Sequence, residues 1–324
     1  MRIILDTNVW RYIADHGSRN SLRAWVEETG TTIVVPPAVP IEMLWTRDRD
    51  ARQRMLRLAC DSRWERLPPE ALTLCEHLLA GIRQYRPEWL VRRPNLRNYK
   101  NNWRDWRYPK GMWWRFLHDT DAEAQRHGAL GGPTLEQARA QAAAAAAETD
   151  LPFHHIAGAG HEATYPDGTP GWEGRPVAAW RADADAHTWA ALFQAADHPY
   201  RDWLLPYLDV KAVASDRASW RRFWLQDVSE DLVPQQVIVS AVSIVQRTRK
   251  TTAGTPVDAQ LANYLLDADA LVTADKALVD VVEKVRVDTP RLPIATGWRL
   301  RKPHDPLAEL DRARLELTEP RLSD

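Results

Sequence analysis

Ile3-Ile4-Leu5-Asp6-Thr7-Asn8 is a short apolar run that stops on a carboxylate. Three bulky aliphatic residues in succession, without alternation, are the pattern of a strand buried on both faces. An acid just past the end of such a strand sits in the crevice outside the carboxyl edge of an open α/β sheet, where these sheets meet ligand. The segments that follow keep the same grammar. Residues 21–28 read as a helix, residues 31–35 as a β-branched strand stopped by Pro36-Pro37, and a helical pattern runs from about Val39 into the arginine-rich sixties. A further helix is expected over residues 69–84. This alternation predicts an α/β fold, a small parallel sheet flanked by helices.

The pattern returns only near the end. Residues 233–249 form an amphipathic helix on Val237, Val239, Val242, Ile244 and Val245, and Pro256 opens another that reaches Leu266. Residues 270–272 are a short strand, followed by Thr273, Asp275 and a valine-rich helix up to Val285. Asp275, two residues past its strand, repeats the placement of Asp6. Glu42 and Asp258 share another context: Pro40-Ile41-Glu42 and Pro256-Val257-Asp258 each put a proline at a helix start and an acid two residues on. The helix dipole favours acids there, and Thr255 with Asp258 also makes a capping box. Val39 cannot cap, so the Glu42 carboxylate needs another reason. Asp267 and Asp269 fall at the far end of the last strand and read as loop or cap residues.

Taken in order, Asp-Thr-Asn after a first strand, a glutamate in the helix after the second, an aspartate opening a helix and Thr-x-Asp seventeen residues later resemble the PIN-domain nucleases. The match covers the two ends of the chain. The resemblance implies that Asp6, Glu42, Asp258 and Asp275 are an acidic quartet that binds Mg²⁺ or Mn²⁺ and cleaves RNA, with Asn8 and Thr273 as supports. It divides the chain into a discontinuous nuclease domain (residues 1–83 and 233–300), a mainly helical insertion (84–232) and a tail (301–324). Chemistry asks for the same set. Carboxylates crowded in one crevice repel, hard divalent cations neutralise them, and such ions activate water for attack at phosphorus. Products with a 5′-phosphate and a 3′-hydroxyl follow from the resemblance. Toxin-like or defence nucleases, an inhibitory partner protein and a homodimer are expectations that the sequence leaves open.

The insertion is where substrate choice is expected. Tryptophan is unusual in this chain, 16 against 4 Phe, and 11 of the 16 lie between Trp89 and Trp224. Residues 92–115 carry eight basic side chains against the single acid Asp105, interleaved with Tyr99, Trp103, Trp106, Tyr108, Trp113 and Trp114. Arg97, Lys100, Arg104, Arg107 and Lys110 are candidates to track RNA phosphates, and Trp103 and Trp106 to stack on bases. The alternative is that the tryptophans anchor a helical core and the arginines form its solvated face. Thr134-Leu135-Glu136-Gln137 opens an alanine-rich helix, residues 154–176 read as a long loop, and helices resume near Asp183, Tyr200 and Arg217. His154, His155, His161 and Glu162 lack fixed metal-site spacing. The tail offers a helix with Leu307, Leu310, Leu315 and Leu317, either docking a partner or packing back on its own domain.

Bulk properties exclude other classes. A net charge of −1 with 27% charged residues predicts no polybasic tail, and Cys60 with Cys75 makes neither a zinc motif nor a disulfide framework. No apolar run suits a signal peptide or a membrane span, so a soluble cytoplasmic protein is expected. Neither GxxxxGK nor a strand-linked GxGxxG occurs, so no nucleotide cofactor is expected. Two competing functions remain. One is a PIN-like module that binds RNA or protein without cutting. The other is a haloacid-dehalogenase-type phosphatase, which needs a second aspartate where this chain has Asn8.

Overall fold

A computed structural model of the 324-residue chain describes residues 1–108, 110–127, 162–164, 170–173, 180–247, 255–301 and 304–318, with residues 136 and 140. Strands β1 (Arg2–Leu5), β2 (Thr32–Val35) and β3 (Glu65–Arg66) come first, and β4 (Glu162–Thr164) and β5 (Pro170–Glu173) form a separate antiparallel pair. Strands β6 (Ala270–Thr273) and β7 (Thr296–Arg299) complete a five-stranded sheet in the order β3-β2-β1-β6-β7. Every pairing in that sheet is parallel, with Ile3 opposite Ile33 on one side and Ala270 on the other. The expected α/β class with a small parallel sheet is therefore the observed one. Strands β3 and β7 were not foreseen, because Glu65–Arg66 is two polar residues long and Thr296–Arg299 carries only one large apolar residue.

Helices α1 (Thr7–His16), α2 (Arg19–Thr29), α3 (Ala38–Leu44), α4 (Arg49–Ala59) and α5 (Glu70–Tyr85) connect and follow the first strands. The single helix expected from Val39 onward is two, because the Asp48 side chain caps a fresh start by accepting from the N–H groups of Asp50 and Ala51. The helix expected over residues 21–28 is α2, and α1, which begins directly after Asp6, was not foreseen. From the middle come α6 (Arg97–Arg107), α7 (Met112–His118), α8 (Thr120–Arg126), α9 (Trp180–Trp189), α10 (Pro199–Leu204), α11 (Val210–Ser215) and α12 (Arg217–Arg222). The last group is α13 (Pro234–Arg247), α14 (Thr255–Ala262), α15 (Lys276–Asp288) and α16 (Pro306–Thr318). The pair β4–β5 falls inside the stretch read as loop. The alanine run, Thr134 and His154, His155 and His161 lie outside the described residues.

Two apolar cores organise the chain. The first surrounds the sheet and takes Ile3, Ile4, Leu5, Val34, Leu271 and Val272, together with Trp113 and Phe116 from α7. The second is helical and holds Trp89, Trp180, Trp203, Trp220, Phe223 and Trp224, with Leu72, Leu78 and Ile82 from α5. Helix α13 serves both: Val237 enters the second core, and Ile238, Ala241, Val242 and Val245 enter the first. The tryptophan excess is thus largely core. Trp89 and Trp220 stack with centroids 5.5 Å apart, and Gly81 leaves room for Phe223, whose ring would stand 3.3 Å from an added Cβ. The tail helix α16 packs back on α1, burying Leu310 and Ala313 and leaving Leu315 exposed.

Truncation of Trp220, which is fully buried, is expected to cost about 3–5 kcal/mol as Trp220→Ala. Leu315→Ala on the exposed face of α16 should stay within about 0.5 kcal/mol. Urea unfolding of both variants checks the pair, and a loss below about 1 kcal/mol at Trp220 would contradict a tightly packed second core.

Candidate active site at the carboxyl edge of the sheet

Parallel strands bring all their carboxyl ends to one edge, and the strand order reverses direction between β1 and β6. A switch point of this kind opens a crevice in an α/β sheet. Asp6 follows β1 and Thr273 ends β6 on its two sides. The Asp6 N–H donates to the Val272 carbonyl at 2.9 Å, so the ladder itself sets their register.

Asp6 is only 6% exposed. As the N-cap of α1 it accepts from the Thr7 N–H at 2.6 Å through Oδ1. Its Oδ2 turns to the neighbouring strand, accepting from the Thr273 hydroxyl at 2.6 Å and from the Asn8 side-chain amide. Thr273 is wholly buried, and its Oγ1 also accepts from the Asp275 N–H at 2.9 Å and from Asn8 Nδ2 at 3.1 Å. Asn8 Oδ1 in turn accepts from the Ala274 N–H at 2.9 Å. Residues from opposite ends of the chain thus form one closed hydrogen-bonded unit across β1 and β6.

The other acids approach from helices. Glu42 is the fifth residue of α3, not a first-turn residue as expected, because the helix starts at Ala38 rather than at Pro40. It is half-buried, and its Oε2 accepts from the Thr7 hydroxyl. Thr7 was overlooked by the sequence reading, although its place beside the first acid is a usable signal. Asp258 lies in the first turn of α14, which packs against α3. The Thr255 side chain lies outside the described residues, so the capping-box reading is not addressed by them. Asp275 caps α15, accepting from the Ala277 N–H at 2.6 Å, and is exposed. Of the four acids only Asp258 was expected to cap, yet Asp6 and Asp275 both cap helices. Each does so with one carboxylate oxygen, and for Asp6 the second faces the neighbouring strand.

The electrostatics join these groups. Burial raises the pKa of Asp6, with the Asp275 charge adding to it, while the Thr273, Thr7 and Asn8 donors pull the other way. Burial and then the Asp6 charge push Glu42 up to about 7. Asp258 is pushed up to about 8 by burial, then by Asp6, Asp275 and Glu42. Asp258 thus feels the other three acids, Glu42 feels Asp6 and Asp6 feels Asp275, and all four offer oxygen donors alone. Among the described residues, no three His, Cys, Asp or Glu side chains are gathered into a ready metal-holding group. A further half-buried acid, Glu70 at the start of α5, accepts from Asn263 at 2.7 Å and is raised to about 7 by burial. It ties α5 to the segment after α14.

At the amino edge, Asp269 accepts from the Arg2 N–H at 2.7 Å and the Asp267 carbonyl accepts from the Arg2 guanidinium, so both acids stand away from the crevice. In α6, the charged candidates Arg97, Lys100, Arg104 and Arg107 are exposed, as is Lys110 beyond it. Trp103 and Trp106 turn to the cores instead of outward, and the Trp106 indole N–H donates to the Leu67 carbonyl at 3.0 Å. Among the described residues no helix is long and apolar enough to cross a membrane. Compared with models of protein families, with curated proteins and with solved structures, the chain matches none.

The raised carboxyls carry a pH signature. The ordinary values for Asp258 and Glu42 are 3.8 and 4.5, and the folded values are about 8 and about 7. Over that interval the folded protein holds more protons than the unfolded chain, so the stability from these sites is complete below the ordinary values and is lost as pH rises through 7 to 8. In chelator, the melting temperature is expected to fall as pH rises from about 5 to about 8, and Asp258→Asn to flatten that fall. Parallel pH profiles for the two proteins would refute the coupling.

Proposed function

We propose that this protein is a divalent-metal-dependent endoribonuclease of the PIN type, acting in the cytoplasm. The observation that carries the reading is Asp6, fixed at the switch point of a parallel sheet by Thr273, Asn8 and Thr7, with Glu42, Asp258 and Asp275 within its electrostatic reach. The donor set fits a hard cation, since it is made of carboxylate oxygens whose burial and mutual repulsion leave them short of positive charge. Asp6, Glu42, Asp258 and Asp275 would hold Mg²⁺ or Mn²⁺. Such an ion, when bound, would neutralise the acids and stabilise charge developing at a phosphodiester.

The residues of the chain divide the remaining work. Three donors fix the orientation of Asp6 and oppose its protonation. Thr273 orients Asp6 and, by accepting from the Asp275 backbone, shapes the turn that presents the fourth acid. Burial and the Asp6 charge raise Glu42 to about 7, so a cation held beside it would favour its ionised form. The Thr7 hydroxyl holds Glu42 in place.

The competing readings make different demands. A haloacid-dehalogenase-type phosphatase needs an acid where Asn8 stands, and here the Asn8 amide is spent on Asp6 and Thr273. A module that only binds RNA or protein gains nothing from repelling carboxylates in one crevice.

Incubation of the purified protein with mixed single-stranded and structured RNAs, in Mg²⁺, Mn²⁺ or chelator, tests the proposal. Cleavage is expected only with metal, and Asp6→Asn should reduce it to background. Thr273→Val keeps the shape but removes the hydroxyl that orients Asp6, and should cost about 10–100-fold in rate. Cleavage that survives both chelator and Asp6→Asn would sink the proposal. RNA affinity without cleavage in any divalent metal would favour the binding module.

A further inference from the structure

Helix α6 separates its side chains by chemistry. Arg97, Lys100, Arg104 and Arg107 follow one another at spacings of three, four and three residues, and all four are exposed. At 3.6 residues per turn this places them within an arc of roughly 80°, as a stripe about 15 Å long. Tyr99 and Trp106 lie on the far side, and Trp103 borders the stripe next to Arg107. Tyr99 packs edge-on against Trp203 at 5.1 Å and Tyr207 at 5.8 Å, and Trp106 is tied to Leu67. The aromatic face therefore holds the helix down and sets the cationic face outward.

The stripe is also unneutralised. Most other arginines of the described chain have carboxylate partners, and the one acid of α6, Asp105, is taken by a two-toothed pair with Arg115. Among the described residues no ion pair reaches Arg92, Arg93, Arg97, Lys100, Arg104, Arg107 or Lys110. Arg107 touches only a ring, with its guanidinium carbon 5.3 Å from the Trp103 centroid. A row of unpaired cations on one rigid element in a chain of net charge −1 repels itself, and a polyanion relieves that repulsion.

Both ends of the stripe have features of their own. At the amino end Arg97 borders a cleft of about 720 Å³ with Asn95, Asn98, Asp197, His198 and Asp202. Asp197 and Asp202 are offset there by Arg97 and Arg201, which also lines the cleft, while its amides and imidazole suit the polar edge of a base. At the other end stands Tyr108, 61% exposed and one turn beyond Arg104 on the same side. Its ring is free to stack. Trp106 meanwhile docks on Leu67, just past the carboxyl end of β3, so this end of the helix lies at the same sheet edge as the acidic crevice.

We infer that α6 is a guide for single-stranded RNA, its cationic stripe following successive phosphates between the polar cleft at its amino end and the Tyr108 ring, with the strand led toward the carboxyl edge of the sheet. This rests on the nuclease reading for the identity of the polymer. Steps of three or four helical residues advance about 5 Å each, comparable with the repeat of a nucleic-acid backbone. A duplex would keep its bases paired and unable to use either the cleft or the ring.

The test separates binding from cleavage by working in chelator. Fluorescence anisotropy with a short labelled single-stranded RNA, across a salt series, is run on the full chain, on Arg97→Ala/Lys100→Ala/Arg104→Ala/Arg107→Ala, and on Tyr108→Ala. A control replaces Arg57, Arg83, Lys211 and Arg291, exposed cations on other elements, with alanine. Circular dichroism and melting should be unchanged in every variant, because the replaced side chains are exposed. The stripe variant is expected to lose about 10-fold or more in affinity at low salt, with the slope of log affinity against log salt flattened by about 0.7 for each phosphate left unneutralised. Tyr108→Ala should lose about 10-fold with the slope unchanged. Unaltered affinity and slope in the stripe variant, or an equal loss in the control, would overturn the proposal. So would tighter binding of duplex RNA or single-stranded DNA than of single-stranded RNA. No affinity for any nucleic acid would likewise overturn it and turn the surface toward an acidic protein partner. Failure here leaves metal-dependent cleavage to be decided by its own test, and binding through the stripe without cleavage in metal would defeat the nuclease reading alone.

Discussion

The Thr273 hydroxyl, wholly buried between β1 and β6, holds together more of this molecule than its size suggests. It donates to Asp6, accepts from the Asp275 backbone and from Asn8, and so joins two segments separated by more than 260 positions of chain. A buried oxygen with partners on every side is stable only when all of them are in place. The parallel register of β1 against β6 delivers them, since Leu5 stands opposite Val272 and the next residue on each strand reaches the crevice. If the hydroxyl lost its partners, Asp6 would be a buried carboxylate with fewer donors, a costly state in a low-dielectric setting.

The same edge shows how helix starts and a carboxylate cluster can share residues. Asp6 and Asp275 each cap a helix, so the positive ends of α1 and α15 face acids, which the helix dipole favours. That arrangement lets a fold tolerate several carboxyls in one place. It does not remove the burial and mutual repulsion that together raise Glu42 and Asp258.

The middle of the chain is joined to this sheet through side chains from both cores. Helix α13 contributes to each, and α7 and α8 enter the core around the sheet through Trp113, Phe116 and Ala124, packing on α4 and α3. An ionic set around the buried Glu123, with Arg115 and the exposed Arg126, braces the turn from α7 to α8 and, through Asp105, the end of α6. Gly111 belongs to that brace. An added Cβ there would stand 1.7 Å from the Asp105 carbonyl oxygen, so only glycine allows the chain to pass so close to the end of α6.

What the sequence determined by itself was everything that depends on local pattern. The buried strands read at residues 3–5, 31–35 and 270–272, the long helices α5 and α13, and the positions of Asp6 and Asp275 just past strand ends all follow from runs of branched residues and their terminators. The tertiary structure decided what depends on partners distant along the chain. Strands β3 and β7 are too short and polar to be seen alone, and exist because the neighbouring backbone offers unpaired groups. Trp103 and Trp106 differ from Tyr108 in exposure because one side of α6 meets neighbouring chain and the other does not, a distinction no composition carries. Asn8, Thr273 and Asp6 could be named from the sequence, but their joining into one hydrogen-bonded unit required the register of two strands from opposite ends. Local pattern is written in neighbouring residues, whereas the pairing of buried polar groups is settled only when packing removes water and leaves each donor a single acceptor.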